Sequence, residues 1–145
     1  MVIAIISLLS SLTIVSLSGV KARARDAQRM ATFYTLRNAL QLYYSDHGDY
    51  PPNQVDGRAC DFHKGSACLD ELVTSGFMSE LPSDPPSPLP RWAHYYYYNY
   101  TNVAVIETNL ETKKYNEIPN NCTFTMGTWC DAEERPYHYC LCLEK

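Results

Sequence analysis

Six cysteines are the side chains here with the most chemistry to offer: Cys60, Cys68, Cys122, Cys130, Cys140 and Cys142. An even number suits an exported chain whose small core needs covalent help. Cys60 and Cys68 sit eight apart in a loop and are expected to pair, clipping it shut. Cys140 and Cys142 alternate on a β-prone stretch and point the same way, which disfavours a bond between them. Their partners are then Cys122 and Cys130, in either of two cross-pairings. A zinc site built from these four with His138 fits poorly, because seven, nine and one intervening residues do not match the close pairs of structural zinc sites. A Cys/His nucleophile needs an activated thiolate, and complete pairing leaves none. No metal ligand, cofactor site or acid/base constellation emerges, so the chain is not expected to be an enzyme.

Two further patterns invite chemistry. Tyr95-Tyr96-Tyr97-Tyr98, with Trp92 and Tyr100, reads as a half-buried strand whose alternate rings face the core and neighbouring subunits. Asn99-Tyr100-Thr101 and Asn121-Cys122-Thr123 are glycosylation acceptor patterns at Asn99 and Asn121.

The elements that position these residues follow from periodicity. Residues 92–100, 102–110 and 137–143 are strand-like, and the last alternates cleanly. Tyr137, Tyr139, Leu141 and Leu143 share one face; His138, Cys140 and Cys142 share the other. Asp70 to Phe77 reads as a short helix closed by Gly76, and the five prolines of Pro82–Pro90 as an extended crossing. Phe33, Leu36, Leu40 and Tyr43 form a helical stripe at i, i+3, i+7 and i+10, with Met30 and Tyr44 beside it. Arg25, Gln28 and Arg29 fall largely off that stripe, so the basic neck Lys21–Arg29 reads as a solvated face; were the chain to polymerise, as the resemblance given below implies, it would pair with acidic residues of neighbouring heads. A three-stranded antiparallel sheet whose apolar face of Tyr137, Tyr139, Leu141 and Leu143 packs on the stripe gives an α+β fold.

The N-terminal part is different in kind. Residues 1–20 hold no charged side chain, and as a helix they reach about 30 Å, the thickness of a bilayer's hydrocarbon. No basic residue precedes the run and no small-x-small cleavage site ends it, which speaks against a removable signal peptide. No Gly or Pro interrupts Val20 to Asp46; Gly48 then caps and Pro51-Pro52 stops the helix. One helix over about residues 2–47, close to 70 Å long, is expected. Three parts follow: 1–20, an apolar half for the membrane or a filament core; 21–47, the amphipathic half; 48–145, an exported globular head. Charge follows the same division, with net +3 over residues 21–47 and net −7 over 48–145, so general nucleic-acid binding is disfavoured. Lys21, Arg23, Arg25 and Arg29 alone would hold the head in the cytoplasm, whereas the cysteines ask for export; a basic leader ahead of Met1 would reconcile the two.

Val2-Ile3-Ala4-Ile5-Ile6 with its Ser/Leu-rich continuation, then Lys21-Ala-Arg-Ala-Arg-Asp-Ala-Gln-Arg29, then Leu36-Arg-Asn-Ala-Leu-Gln-Leu-Tyr-Tyr44 and Asp46-His-Gly-Asp-Tyr-Pro51 resemble the type IV pilin superfamily. Within it the chain is most similar to bacterial type IV pilins and to the major pseudopilin of type II secretion. Leu69-Asp70-Glu71-Leu72 and Leu81-Pro-Ser-Asp-Pro85 extend the likeness more loosely. The pseudopilin's calcium loop has no counterpart, so no metal ligand carries over. The resemblance implies a structural subunit that polymerises into an extracellular helical filament. Val2, Ile3, Ile5, Ile6, Leu8, Leu9, Leu12, Ile14, Val15 and Leu17 would form the filament core. It also implies partners: copies of the chain itself, a prepilin peptidase, an assembly ATPase and an inner-membrane platform, with the cytoplasmic membrane as the site before assembly and no nucleic acid required. The alternatives are a type II secretion pseudopilin and a monomeric membrane-anchored extracellular binding domain; the stapled C-terminal loop favours a surface pilus.

Overall fold

A computed structural model describes residues 2–53, 59–61, 67–88, 94–114, 117–118, 122, 130 and 136–145, with side chains from residue 17 onward. A single helix, α1, runs Val2–His47. Asn and Asp are rare along it and no proline enters, so nothing competes with the i→i−4 ladder. It stops where expected. The Gly48 N–H donates to the Tyr44 carbonyl at 2.8 Å, and Gly48 takes φ of 77°, a left-handed value that a side chain would oppose.

Four strands form an antiparallel meander in the order β1-β2-β3-β4: β1 Cys60–Asp61, β2 Tyr96–Asn99, β3 Val103–Asn109 and β4 His138–Glu144. The three expected strands are present; the first two are shorter than read and the last is shifted by one residue. The fourth, β1, is only two residues long, too short to leave a periodic signal, and pairs Cys60 with Tyr97. A short helix, α2, spans Asp70–Thr74 behind a single helical turn at Ala67–Leu69; Gly76 (φ 79°) closes it. Residues 81–88 cross as extended chain, with Pro85 buried.

The core lies between α1 and the inner face of the sheet. Phe33, Leu36, Leu40 and Tyr43 are all buried there with Tyr95, Tyr97, Ile106, Tyr139, Leu141 and Leu143. Phe33 stands edge-on to Tyr95 at 5.3 Å and stacks with Tyr139 at 5.4 Å, geometries that suit the ring quadrupoles. Tyr95 and Tyr97 point inward while Tyr96 and Tyr98 are half-buried, so the tyrosine run alternates as a strand must. Burial raises the phenols of Tyr95, Tyr97 and Tyr139, with Tyr95 pushed up to about 12. Tyr137 departs from expectation: it precedes β4 and is exposed.

All six cysteines are bonded. Cys60 joins Cys68, Cys122 joins Cys142 and Cys130 joins Cys140, with Cα separations of 6.1, 5.7 and 5.9 Å. The nested pairing is therefore the one adopted of the two left open. It holds residues 122 and 130 over the outer face of the sheet against Val103 and Val105. Each bridge contributes about 2–4 kcal/mol by restricting the unfolded chain.

Candidate functional site: the helix–head junction

The buried stripe of α1 does not begin with an apolar residue. Asp26 and Arg29 precede Phe33 by seven and four positions, on the same helical face, and only 1% and 0% of their surfaces reach solvent. This overturns the reading of Lys21–Arg29 as a wholly solvated neck. Counting apolar residues alone hid it; extending the stripe backwards by i−4 and i−7 would have found both side chains.

Each charge in the junction has named partners. The Asp26 carboxylate accepts from the backbone N–H groups of Glu111 and Thr112, both at 2.8 Å, and from the Thr112 hydroxyl at 2.6 Å. Arg29 donates through Nε and Nη2 to Asp84 at 2.7 and 3.2 Å. Its Nη1 reaches Glu111 at 2.9 Å and Asp26 at 3.2 Å. Arg25 forks onto both oxygens of Glu111, which also accepts from the Ser87 hydroxyl at 2.9 Å. A planar guanidinium suits such two-point contacts; an ammonium would not. The network thus ties helix α1 to the extended chain at 84–87 and to the turn that follows β3. The partners of this neck are acidic residues of the same chain, so the expected pairing to neighbouring heads does not hold for Arg25 and Arg29.

The electrostatics agree with the geometry. The Arg25 guanidinium, with help from Arg29 and Ser87 and against the effect of burial, holds the Glu111 carboxyl down at about 2. Burial opposes the charge on Arg29, but its bonds to Asp84 and Glu111 outweigh that and raise its pKa. Two arginines against three carboxylates leave the cluster one negative charge in excess, close to Lys21 on the next turn of α1.

At the other end of the stripe, Tyr43 stacks on His47 at 4.0 Å and donates to Glu71 of α2. Burial and the Glu71 contact push its phenol up to about 12. Lys145 pairs with Asp49 at 2.6 Å, and the Tyr50 hydroxyl donates to the Glu144 carbonyl at 3.3 Å.

Beyond the network, α1 leaves the head. Leu17 and Val20 are 53% and 61% exposed, and an open cleft of about 450 Å³ lies between Ser18, Gly19 and Ala22 on one side and Pro88 with Glu111 on the other. Of the expected filament-core residues only Leu17 has a described side chain; those of Val2, Ile3, Ile5, Ile6, Leu8, Leu9, Leu12, Ile14 and Val15 lie outside the described residues. Among the described residues no helix is long and apolar enough to cross a membrane.

The acceptor patterns fare differently from each other. The Asn99 side-chain amide donates to the carbonyls of Tyr50 and Pro51 at 3.0 and 3.2 Å, which makes it a tether for the chain leaving α1. Its backbone exchanges bonds with the Asn53 side chain at 2.6 and 2.7 Å. Asn99 is thus engaged as a structural residue. Asn121 lies outside the described residues.

Among the described residues there is one group of potential metal donors. A Glu107 carboxylate oxygen and the sulfurs of Cys130 and Cys140 all lie within 4.8 Å of one another, buried on the outer face. Both sulfurs are spent on their mutual bond in this form. Sequence reading weighed His138 with these cysteines and missed Glu107, which becomes their neighbour only through its cross-strand register with Cys140.

Comparisons with protein-family models, with curated proteins and with solved structures give no match.

Proposed function

We propose that this chain is a structural subunit of an extracellular helical filament of the type IV pilin kind, assembled through its N-terminal helix. The observation that carries the reading is the one-sided grip on a 46-residue helix: the head holds one face of α1 from Arg25 to Tyr43 and leaves Leu17 and Val20 exposed, on the side of the charge-free sequence. A charge-free apolar helix calls for an apolar partner. Identical helices supply one. The small side chains Ser7, Ser10, Ser11 and Thr13 permit close approach, and packing between helices drives the association where lipid removes the hydrophobic advantage. Contacts that relate copies by a rotation and a rise do not close, and so give an open fibre.

The disulfide-stapled head then forms the outer sheath, and its role is mechanical and non-catalytic. Assembly would need a peptidase, an ATPase and a membrane platform of the pilin type, with the cytoplasmic membrane holding the subunit beforehand. Negative-stain microscopy of the native assembly tests this. Fibres about 50–80 Å wide are expected from a helical core with small heads around it. Solitary particles in every native preparation, whether anchored or freed by cleavage before residue 21, would overturn it.

A further inference from the structure

We propose that the flank of the head where β4 runs beside α1 binds the acidic α2 flank of a second copy of this chain, with Arg37 and Lys113 as the receiving cations. The contact rests on the filament reading above and specifies how neighbouring heads meet within the filament.

The helix α1 packs on the sheet with α2 at one side and β4 at the other. Tyr43 reaches Glu71 of α2, and Cys68, just ahead of α2, is bonded to Cys60 of the edge strand β1. Arg37 stands about 120° around the helix from Tyr43, on the side of the half-buried Met30, Tyr34 and Tyr44. There it comes close to β4 and the chain beside it. Burial raises the phenols of Tyr139 and Tyr50, and the nearby Arg37 charge works against that rise in both.

This arginine differs from Arg25 and Arg29. Among the described residues no carboxylate pairs with it and no acceptor takes its N–H groups. Its Nε is closed to solvent, whereas its terminal nitrogens are open. A buried, unbonded Nε has lost hydration that no contact within the chain returns. The packed stem also fixes where the outer nitrogens point, so a carboxylate arriving there has little left to order. Lys113 is a second cation of this kind. It is half-buried over Met30, seven residues from Arg37 and so about 10 Å along the same side of α1. Among the described residues its Nζ touches only the Met30 sulfur, at 3.8 Å. The acids of this flank are engaged or turned away: Asp49 holds Lys145, and Glu144 falls on the outer face by the alternation of β4.

The opposite flank has the reverse sign. Between Lys64 and Arg91 the sequence holds four acidic side chains and no basic one. Glu71 and Asp84 are used inside the chain, by Tyr43 and Arg29. Asp70 and Glu80 are exposed and, among the described residues, unpaired. Two unpaired cations on one side of α1 and two unpaired carboxylates on the other do not meet within one molecule. They meet between copies set side by side in the same orientation. Such a contact joins two different surfaces and repeats from copy to copy along a fibre.

The test uses the full chain in its native assembly, with p-benzoylphenylalanine in place of the exposed Gln41, one helical turn from Arg37. Irradiated fibres should carry a cross-link from residue 41 of one copy to the segment 69–81 of another, read by mass spectrometry of the joined peptides. Arg37→Glu with Lys113→Glu should lower fibre yield at least ~10-fold, as should Asp70→Lys with Glu80→Lys, because each sets like charges across the contact. All four changes together should restore fibres. If a double variant no longer melts cooperatively, the cross-link alone decides. Fibres whose cross-links fall elsewhere would overturn this contact and leave the filament reading standing, as would a folded quadruple variant no better than either double. Native preparations without fibres would overturn both.

Discussion

The two ends of the buried stripe on α1 solve the same problem with opposite means. From Phe33 to Tyr43 the helix meets the sheet through rings and aliphatic side chains, and its burial is a direct gain of about 25 cal/mol per Å². From Arg25 to Arg29 it meets the head through two guanidiniums and three carboxylates, all but Arg25 at comparable depth. Desolvation of such a cluster offsets much of its attraction, so the ionic end adds little net stability and depends wholly on complete pairing. What it adds is directional: Asp26 and Arg29 accept only one angle and one register of helix against the turn at residues 111–112, whereas Leu36 and Leu40 tolerate small slides. The lower end of the helix is glued and the upper end is keyed.

That contrast can be broken at either end. The largest effect is expected at the apolar end. Leu36→Asp or Leu40→Asp sets an unpaired charge against Tyr139 or Leu141 and should cost more than ~4 kcal/mol, abolishing the cooperative thermal transition of the head. A variant melting like the wild type would show that the stripe is not buried against the sheet. Next comes the key. Arg29→Met strands Asp26, Asp84 and Glu111 together and should cost about 3–5 kcal/mol in urea unfolding, while adding Asp84→Asn and Glu111→Gln to it should recover more than half of that loss. If the triple variant were no better than the single, the arginine would be stabilising by packing alone.

A third measurement sharpens the electrostatic side through pH. Glu111 sits at about 2 in the folded chain against an ordinary value of 4.5, so its contribution is complete above about pH 4.5 and is lost as the pH falls through about 2. The urea midpoint of the wild type should therefore fall across that window more steeply than that of Glu111→Gln. Equal slopes would remove Glu111 from the network. The smallest effect belongs to Tyr43→Phe, which keeps the stack on His47 and deletes only the bond to Glu71. About 1 kcal/mol is expected, read as a small drop in melting temperature.

The same two ends explain what could be read in advance. The stripe Phe33, Leu36, Leu40, Tyr43, the α+β layering, the glycine caps and the three longer strands all arise from local periodicity, which a sequence displays directly. The Cys60–Cys68 clip was legible because its members are close along the chain. The junction was not, because its helix and head partners stand between 55 and 86 residues apart and no local rule relates Arg29 to Asp84 or Asp26 to Thr112. Charged residues on a helix are discounted as solvated by default, and here that default failed at two positions of the stripe itself. Likewise no local rule selects Cys142 over Cys140 as the partner of Cys122, and Glu107 joined the cysteines only once β3 and β4 were in register.

The meander leaves two outer strands, and each is guarded. One is a two-residue piece clipped by its own bond to Cys68; the other has the Cys140 carbonyl already taken by the Cys122 N–H at 3.2 Å. Long bare borders invite neighbouring molecules to continue the hydrogen-bond ladder, the route by which β-proteins coalesce into amyloid-like deposits. Heads of this design can be crowded shoulder to shoulder at high local density and still remain separate bodies.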